Sequence, residues 1–162
     1  MSNNEFLQGV DYPHPFDELA VALGSSATRY LCILSPALDH AAFDNEELAS
    51  ALSALARGSR QTQVRILVAN TSTMVNRGHR LLSLARRIPS SILIRRLDEH
   101  PDWTGQTLVI RDRDGVLYKP GGSGSDGFYE PSSRASTERH LVLFNELWRH
   151  SVQDSNLRTL NI

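Results

Sequence analysis

Short apolar runs alternate with amphipathic segments along the chain, which predicts alternating strands and helices. Three runs of mostly apolar residues are typical of strands buried on both faces: RYLCILSP at 29–36, QVRILVAN at 63–70 and SILIRRL at 91–97. Four segments are predicted as helices from the spacing of their apolar residues or from Pro and Gly near their ends: 14–27, 44–59, about 73–88 and about 136–152.

The stretch QTLVIRDRDGVLYKPGGSGS, residues 106–125, predicts a hairpin followed by a loop rich in glycine and serine. Two apolar runs flank Asp114-Gly115, which is typical of a tight turn between antiparallel strands at 106–119. The glycines that follow permit close approach of the backbone to a ligand. The loop is therefore either an anion-binding element or a surface connector.

Together these elements predict an α/β fold with a mixed, mostly parallel sheet and helices on both faces. The chain of 162 residues shows no linker and no internal repeat. We therefore expect a single domain spanning 1–162, with its core at about 28–152. Asp44 is expected to cap the helix at 44–59.

The composition is that of an ordinary folded protein, with 40% hydrophobic and 22% charged residues. No apolar run approaches the roughly 20 residues that cross a bilayer. The N-terminal segment lacks the basic and apolar regions of a secretory signal. We therefore expect a cytoplasmic protein with no membrane partner, in which the single cysteine, Cys32, is a small buried hydrophobe.

The net charge of −1 gives no overall reason to expect a nucleic-acid partner. The charges are nevertheless uneven, since residues 61–100 carry seven arginines against Asp98 and Glu99. Over the whole chain, sixteen arginines accompany a single lysine, Lys119. This bias indicates either anion recognition by guanidinium groups or codon usage in a GC-rich genome.

The spacing of the six histidines predicts no metal site. No two of them lie four residues apart, and none accompanies a pair of cysteines. We therefore expect no metal and no cofactor. His79 lies on an arginine-bearing helix and is expected to be exposed to solvent.

Residues of about 28–152 resemble one catalytic half of the phospholipase D superfamily. Such a half has the order strand–helix–strand–helix–strand, then a strand bearing His-x-Lys-x(4)-Asp, a Gly-Ser-x-Asn turn and a closing helix. The segment VRILVANTSTMVNRGHRLLSLARRIPSSILIRRL is similar to the part before the motif. STERHLVLFNELWRHS is similar to the closing helix, whose tryptophan often packs under the active site in this family.

The catalytic motif departs from the family pattern. With Asp112 at the aspartate position, Gly105 and Thr107 stand where the family has histidine and lysine, and Ser125 stands where it has asparagine. In the family, the histidine attacks phosphorus, while lysine and asparagine stabilise the phosphate oxygens. The resemblance therefore implies a phospholipase D-like domain without the His-x-Lys part, in which Asp112 is either vestigial or simply one residue of a hairpin tip.

Three functional hypotheses follow from the resemblance. The first is a catalytically inactive binding or assembly domain, and the second is a phosphodiester hydrolase with substituted catalytic residues. The third is an accessory role with an acetyltransferase domain as partner, because similar domains stand beside acetyltransferases in bacterial proteins. Since single-half members of the superfamily pair, the resemblance also implies a homodimer, with Trp103, Phe128 or Tyr129 as contacts.

The end of the strand at 63–70 predicts a weak site for a phosphate-containing ligand. Ligands of open α/β sheets bind at the carboxyl ends of strands, where a following helix adds its N–H groups. The residues expected to contribute donors or charge are Asn70, Thr71, Arg77, Lys119, Ser123 and Ser125.

Overall fold

The computed structural model describes residues 5–122 and 126–158, and the strands in these ranges form one seven-stranded sheet. The strands are β1 (Leu7–Val10), β2 (Tyr30–Ser35), β3 (Gln63–Val68), β4 (Ile92–Arg96), β5 (Thr107–Arg111), β6 (Gly115–Lys119) and β7 (Gly127–Glu130). The helices are α1 (Phe16–Ser26), α2 (His40–Phe43), α3 (Glu46–Gly58), α4 (Ser72–Arg77), α5 (Arg80–Arg87), α6 (Arg134–Arg149) and α7 (Ser155–Arg158).

The strands lie in the order β1-β7-β6-β5-β2-β3-β4. The predicted mixed α/β fold is confirmed. The expectation of a mostly parallel sheet is wrong, because only β2–β3 and β3–β4 are parallel among the six described pairs. The difference comes from the hairpin, which joins β2 by antiparallel pairing of β5, and from β1 and β7, two four-residue strands that extend the hairpin in the same way.

Two hydrophobic clusters cover the two faces of the sheet. The larger cluster joins β2–β4 to helices α1, α3 and α5, with Phe16, Leu23 and Leu52 fully buried in it. The smaller cluster lies under α6, where Phe144 and Leu147 pack on side chains of β2, β3, β5 and β6 that point to the opposite face of the sheet. Helices on both faces are thus as predicted.

Cys32 is buried and unpaired in the second cluster, as expected. Burial raises the pKa of its thiol to about 11. Among the described residues, no helix is both long enough and apolar enough to cross a membrane.

The helix predicted at 73–88 is two helices, α4 and α5, which are separated at Gly78. Gly78 has a φ of 80°, a backbone conformation that glycine adopts readily. His79 then caps α5, because its Nδ1 accepts a hydrogen bond from the backbone N–H of Leu81 at 3.1 Å. Its ring is buried, so the expectation that His79 is exposed is wrong.

Two smaller expectations are also corrected. Asn45, and not Asp44, caps α3, since its Oδ1 accepts from the backbone N–H of Leu48 at 2.8 Å. The Asp44 carboxylate instead accepts from the backbone N–H of Arg80 at 2.9 Å. The hairpin turn contains the three residues 112–114 and not the pair Asp114-Gly115, because the last strand residues, 111 and 115, still pair.

Candidate functional site

The carboxyl ends of β2, β3 and β4 form one edge of the sheet, which we call the carboxyl rim. The start of β5 and the end of β6 lie at the same edge, because β5 is antiparallel to β2 and β6 is antiparallel to β5. Thr107 pairs with Lys119 there, and Thr107 is next to Leu108, which pairs with Leu34 near the end of β2. Ligands of open α/β sheets bind at this edge.

The segment just before β5 contributes backbone to the carboxyl rim. Gly105 has a φ of 92°, and a Cβ placed on it would lie 3.6 Å from the Cα of Gly121. Gly121 has even less space, since a Cβ on it would lie 2.1 Å from the carbonyl oxygen of Thr104. The chain after β6 therefore packs directly against the chain before β5. Thr107, the first residue of β5, is buried in the sheet.

Asp112 lies at the opposite edge of the sheet. The five residues of β5 separate it from the carboxyl rim, which corresponds to roughly 17 Å at the usual rise of a strand. Its carboxylate accepts hydrogen bonds from the backbone N–H groups of Thr28, Arg29 and Tyr30 and from the Thr28 hydroxyl. These contacts anchor the hairpin turn to the start of β2, so Asp112 has a structural role here.

Lys119, the single lysine of the chain, places a positive charge at the carboxyl rim. Its Nζ donates to the carbonyl oxygens of Pro120 at 3.1 Å and Gly122 at 2.7 Å, and it lies 5.1 Å from the centre of the Tyr12 ring. The Tyr12 hydroxyl donates to Asp39 at 2.5 Å. Burial, together with this carboxylate, raises the pKa of Tyr12.

The other predicted anion-binding residues fall into three groups. Asn70 and Thr71 follow β3 at the carboxyl rim, where the Asn70 side chain accepts from the backbone N–H of Ser72 at 3.1 Å. Arg77 lines a groove between α3 and α5, together with Arg80 and two further arginines. Ser123 and Ser125 lie outside the described residues.

A second groove lies beside the carboxyl rim, between β3 and the β4–β5 loop. Its described lining residues are Ala69, Leu97, Asp98, Glu99, His100, Pro101, Trp103, Thr104 and Gly105. This lining contains two carboxylates and neither lysine nor arginine. Asp98 pairs with Arg96 at 3.2 Å, whereas Glu99 has no ion pair with another described residue.

His100, Glu146 and His150 come together where the β4–β5 loop meets the end of α6. One potential ligand atom from each residue lies within 4.8 Å of the other two. Glu146 and His150 are four residues apart in the sequence, about one helical turn. This spacing was enough to predict that the two side chains lie on the same face of a helix. The expectation of no metal site rested on His–His and Cys spacing alone, and His100 is 46 residues from Glu146 in the chain.

The residues proposed as dimer contacts differ in exposure. Trp103 and Phe128 are half-buried, and Phe128 stacks on Tyr118 with ring centres 5.0 Å apart. Tyr129 is almost fully buried, so its expected role as a contact between copies is wrong. It faces the first core cluster because alternate residues of β7 point to opposite faces.

Comparison with known proteins relates this geometry to a family and to a fold. Residues 12–160 match the sequence model of a family described as a domain of unknown function, DUF7931. A search of curated proteins finds no match to the chain.

Several solved structures share the fold. Nuc from Salmonella typhimurium, a phospholipase D family member, has a TM-score of 0.64 and 16% identity, covering 96% of this chain and 100% of Nuc. NucT from Helicobacter pylori has a TM-score of 0.59 and 11% identity, covering 93% of this chain and 98% of NucT.

An archaeal chromatin protein with a novel mode of DNA binding, TrmBL2, is also similar, with a TM-score of 0.65 and 11% identity. The match covers 93% of this chain and 54% of TrmBL2, so the chain spans about half the length of that protein. The similarity to Nuc and NucT confirms that the fold is phospholipase D-like.

Proposed function

The chain belongs to the DUF7931 family, and we propose that it is a phospholipase D-like binding or assembly domain that does not cleave phosphodiesters. One observation carries this proposal. The segment in which the superfamily places its His-x-Lys residues contains Gly105 and Thr107, and its backbone is packed against Gly121 at the carboxyl rim. The position that would need an imidazole has no side chain.

The chemistry of cleavage explains why this matters. A covalent route needs a nucleophile that can reach phosphorus and cations that stabilise the developing charge on the oxygens. Glycine supplies neither, and the hydroxyl of the buried Thr107 does not replace an ammonium group. Asp112 is at the far edge of the sheet, where its carboxylate already accepts four hydrogen bonds.

The best residue for a substituted hydrolase is His100, which lines the groove next to Gly105. Its Nδ1 lies 4.0 Å from a carboxylate oxygen of Asp102. The described lining of that groove, however, has neither lysine nor arginine, and although Arg96 pairs with Asp98, the Glu99 carboxylate adds a negative charge that disfavours the approach of a phosphodiester. This charge distribution argues against cleavage at His100.

The ligand we propose contains phosphate and is bound weakly at the carboxyl rim by Asn70, Thr71, Lys119 and the Gly/Ser loop (residues 120–126). Lys119 supports this proposal, because its ammonium group already donates to carbonyl oxygens of that loop. The overall charge of −1 supports low affinity.

Catalysis is tested with bis-p-nitrophenyl phosphate, single-stranded DNA and phosphatidylcholine. We expect all three substrates to remain at background. Turnover that persists through purification, disappears in His100→Ala and remains in His14→Ala would contradict the proposal. His14 is the matched control, because it is an exposed histidine beside the carboxylate of Asp17.

Binding is tested separately by NMR titration with inorganic phosphate. We expect shifts at Asn70, Thr71 and Lys119 at about millimolar phosphate, the range of weak ligands. A variant with Lys119→Ala, Ser123→Ala and Ser125→Ala should lose them. Arg113→Ala, at the opposite edge of the sheet, should keep them. Absence of shifts in the wild-type protein would rule out the phosphate ligand.

A further inference from the structure

We propose that His100, Glu146 and His150 form a binding site for a divalent metal ion of the zinc type, a site that goes beyond the proposed function. The geometry is compact: the Nε2 of His150 is 3.0 Å from Oε1 of Glu146, and the centres of the two imidazole rings are 5.2 Å apart. One ligand atom from each residue lies within 4.8 Å of the other two.

The donor set selects the kind of metal. Two imidazoles and one carboxylate suit Zn²⁺ and similar transition ions, whereas Mg²⁺ and Ca²⁺ prefer shells of oxygen ligands. With metal–ligand bonds of about 2.0–2.2 Å, the ligand atoms of a tetrahedral site lie roughly 3.3–3.6 Å apart. Small side-chain movements are therefore enough to close the observed cluster around an ion.

Secondary structure holds two of the three ligands in place. Glu146 and His150 are four residues apart at the end of α6, so their side chains lie on the same face of the helix. The two oxygens of Glu146 are already divided between partners, since Oε1 faces His150 and Oε2 pairs with Arg149. An ion would bind Oε1 while Arg149 keeps Oε2.

His100 comes from the β4–β5 loop, and its ring is largely buried. Its Nδ1 now accepts a hydrogen bond from the backbone N–H of Asp102 at 3.1 Å, while the Asp102 carboxylate lies 4.0 Å from the same nitrogen. For Nε2 to bind a metal, the ring proton would have to lie on Nδ1, so the hydrogen bond from the Asp102 N–H would have to break before Nδ1 could donate to the Asp102 carboxylate. A carboxylate behind a ligating histidine is a common feature of zinc sites.

The surroundings favour a cation despite the guanidinium group of Arg149, which pairs with Oε2 of Glu146. The site is at the carboxyl end of α6, where the helix dipole is negative, and the Asp102 carboxylate lies nearby. His150 is 54% exposed, so water can reach a remaining coordination position. A bound ion would join the β4–β5 loop, which lines the groove at the carboxyl rim, to α6.

The test uses the full chain without a histidine tag, after removal of metal by a chelator. Zn²⁺ binding is measured by calorimetry, and Co²⁺ binding by its visible spectrum. We expect one ion per chain. His100→Ala and His150→Ala should each weaken binding by more than about 100-fold, because loss of even an outer partner of a metal ligand typically costs 10–100-fold.

His14→Ala is the matched control, because His14 also has carboxylates at i+3 and i+4 but belongs to no three-ligand cluster among the described residues. It should bind Zn²⁺ like the wild-type protein. If the buried His100 variant does not fold, the exposed His150 variant decides the result. Lack of Zn²⁺ binding by the wild-type chain, or wild-type affinity in His150→Ala, would overturn the proposal.

Discussion

Asp112 and Thr28 are 84 residues apart in the chain, yet Oδ2 of Asp112 accepts from both the backbone N–H and the hydroxyl of Thr28, each at 3.1 Å. Oδ1 of the same carboxylate accepts from the backbone N–H groups of Arg29 at 2.8 Å and Tyr30 at 3.0 Å. The acidic residue of the hairpin thus satisfies four donors at the start of the central strand. Its contribution is to stability and not to the carboxyl rim.

Asp112→Ala should destabilise the protein by about 2–3 kcal/mol, because donors at the start of β2 lose a charged acceptor. Asp112→Asn should cost less, since asparagine tolerates the positive φ of 49° and retains an acceptor oxygen. Urea unfolding measures both values. Arg113→Ala, an exposed change in the same turn, should stay within about 0.5 kcal/mol of the wild-type protein. Equal losses in the alanine variants would show that the turn, and not the carboxylate, is responsible.

The second prediction concerns pH and His79. Burial lowers the pKa of His79 to about 4 from its ordinary value of 6.5. Between these values, the unfolded chain binds a proton that the folded protein does not bind, so stability falls as the pH drops. At about 1.4 kcal/mol per pKa unit, this loss amounts to about 3 kcal/mol between pH 7 and pH 4.

Urea unfolding at several pH values measures the effect, and His79→Asn is the control. Asparagine does not titrate, and its side-chain oxygen can still cap α5 in place of Nδ1. The variant should be less stable at pH 7, because it loses the contact of Nε2 with the Leu38 carbonyl oxygen. Its stability should depend less on pH in this window. An unchanged pH dependence would exclude His79 as its source.

The third prediction concerns the close backbone contact at the carboxyl rim. Gly121→Ala places a Cβ 2.1 Å from the Thr104 carbonyl oxygen, so one of the two segments must move. We expect a loss of about 1–3 kcal/mol, the usual cost of forced overlap. NMR shifts should concentrate at Thr104 and Gly105.

Gly58→Ala is the control for this change, because nothing lies within 4 Å of the added methyl group at the end of α3. It should leave stability unchanged or raise it by about 0.5–1 kcal/mol, as expected for glycine replaced by alanine in a helix. If Gly121→Ala does not lower stability, the two backbone segments do not touch in solution.

The fourth prediction is the proposed homodimer. Light scattering should give about twice the chain mass of 18.1 kDa. Trp103→Arg or Phe128→Arg should lower that mass, because each places a charge on a half-buried aromatic position. Val142→Arg, at an apolar residue that is 64% exposed, tests whether any surface arginine has the same effect. A mass of 18.1 kDa that does not change with concentration would exclude the dimer.

The sequence alone determined the central part of the fold. Apolar runs in the sequence predict the buried strands β2, β3 and β4, and an apolar stripe predicts the buried face of α6. These predictions succeed because burial follows directly from residue type and spacing. The same holds for Cys32, which lies within one of those runs.

The tertiary structure decided what depends on distant partners. The four-residue strands β1 and β7 have little local pattern and are stabilised by pairing with each other across more than 100 residues of chain. The separation of α4 from α5 at Gly78 depends on the burial of the His79 ring, whose Nε2 contacts the carbonyl oxygen of Leu38. His100 reaches Glu146 and His150 only because the β4–β5 loop meets the end of α6. Local sequence reports the environment of each residue, whereas such pairs are fixed by the packing of the whole chain.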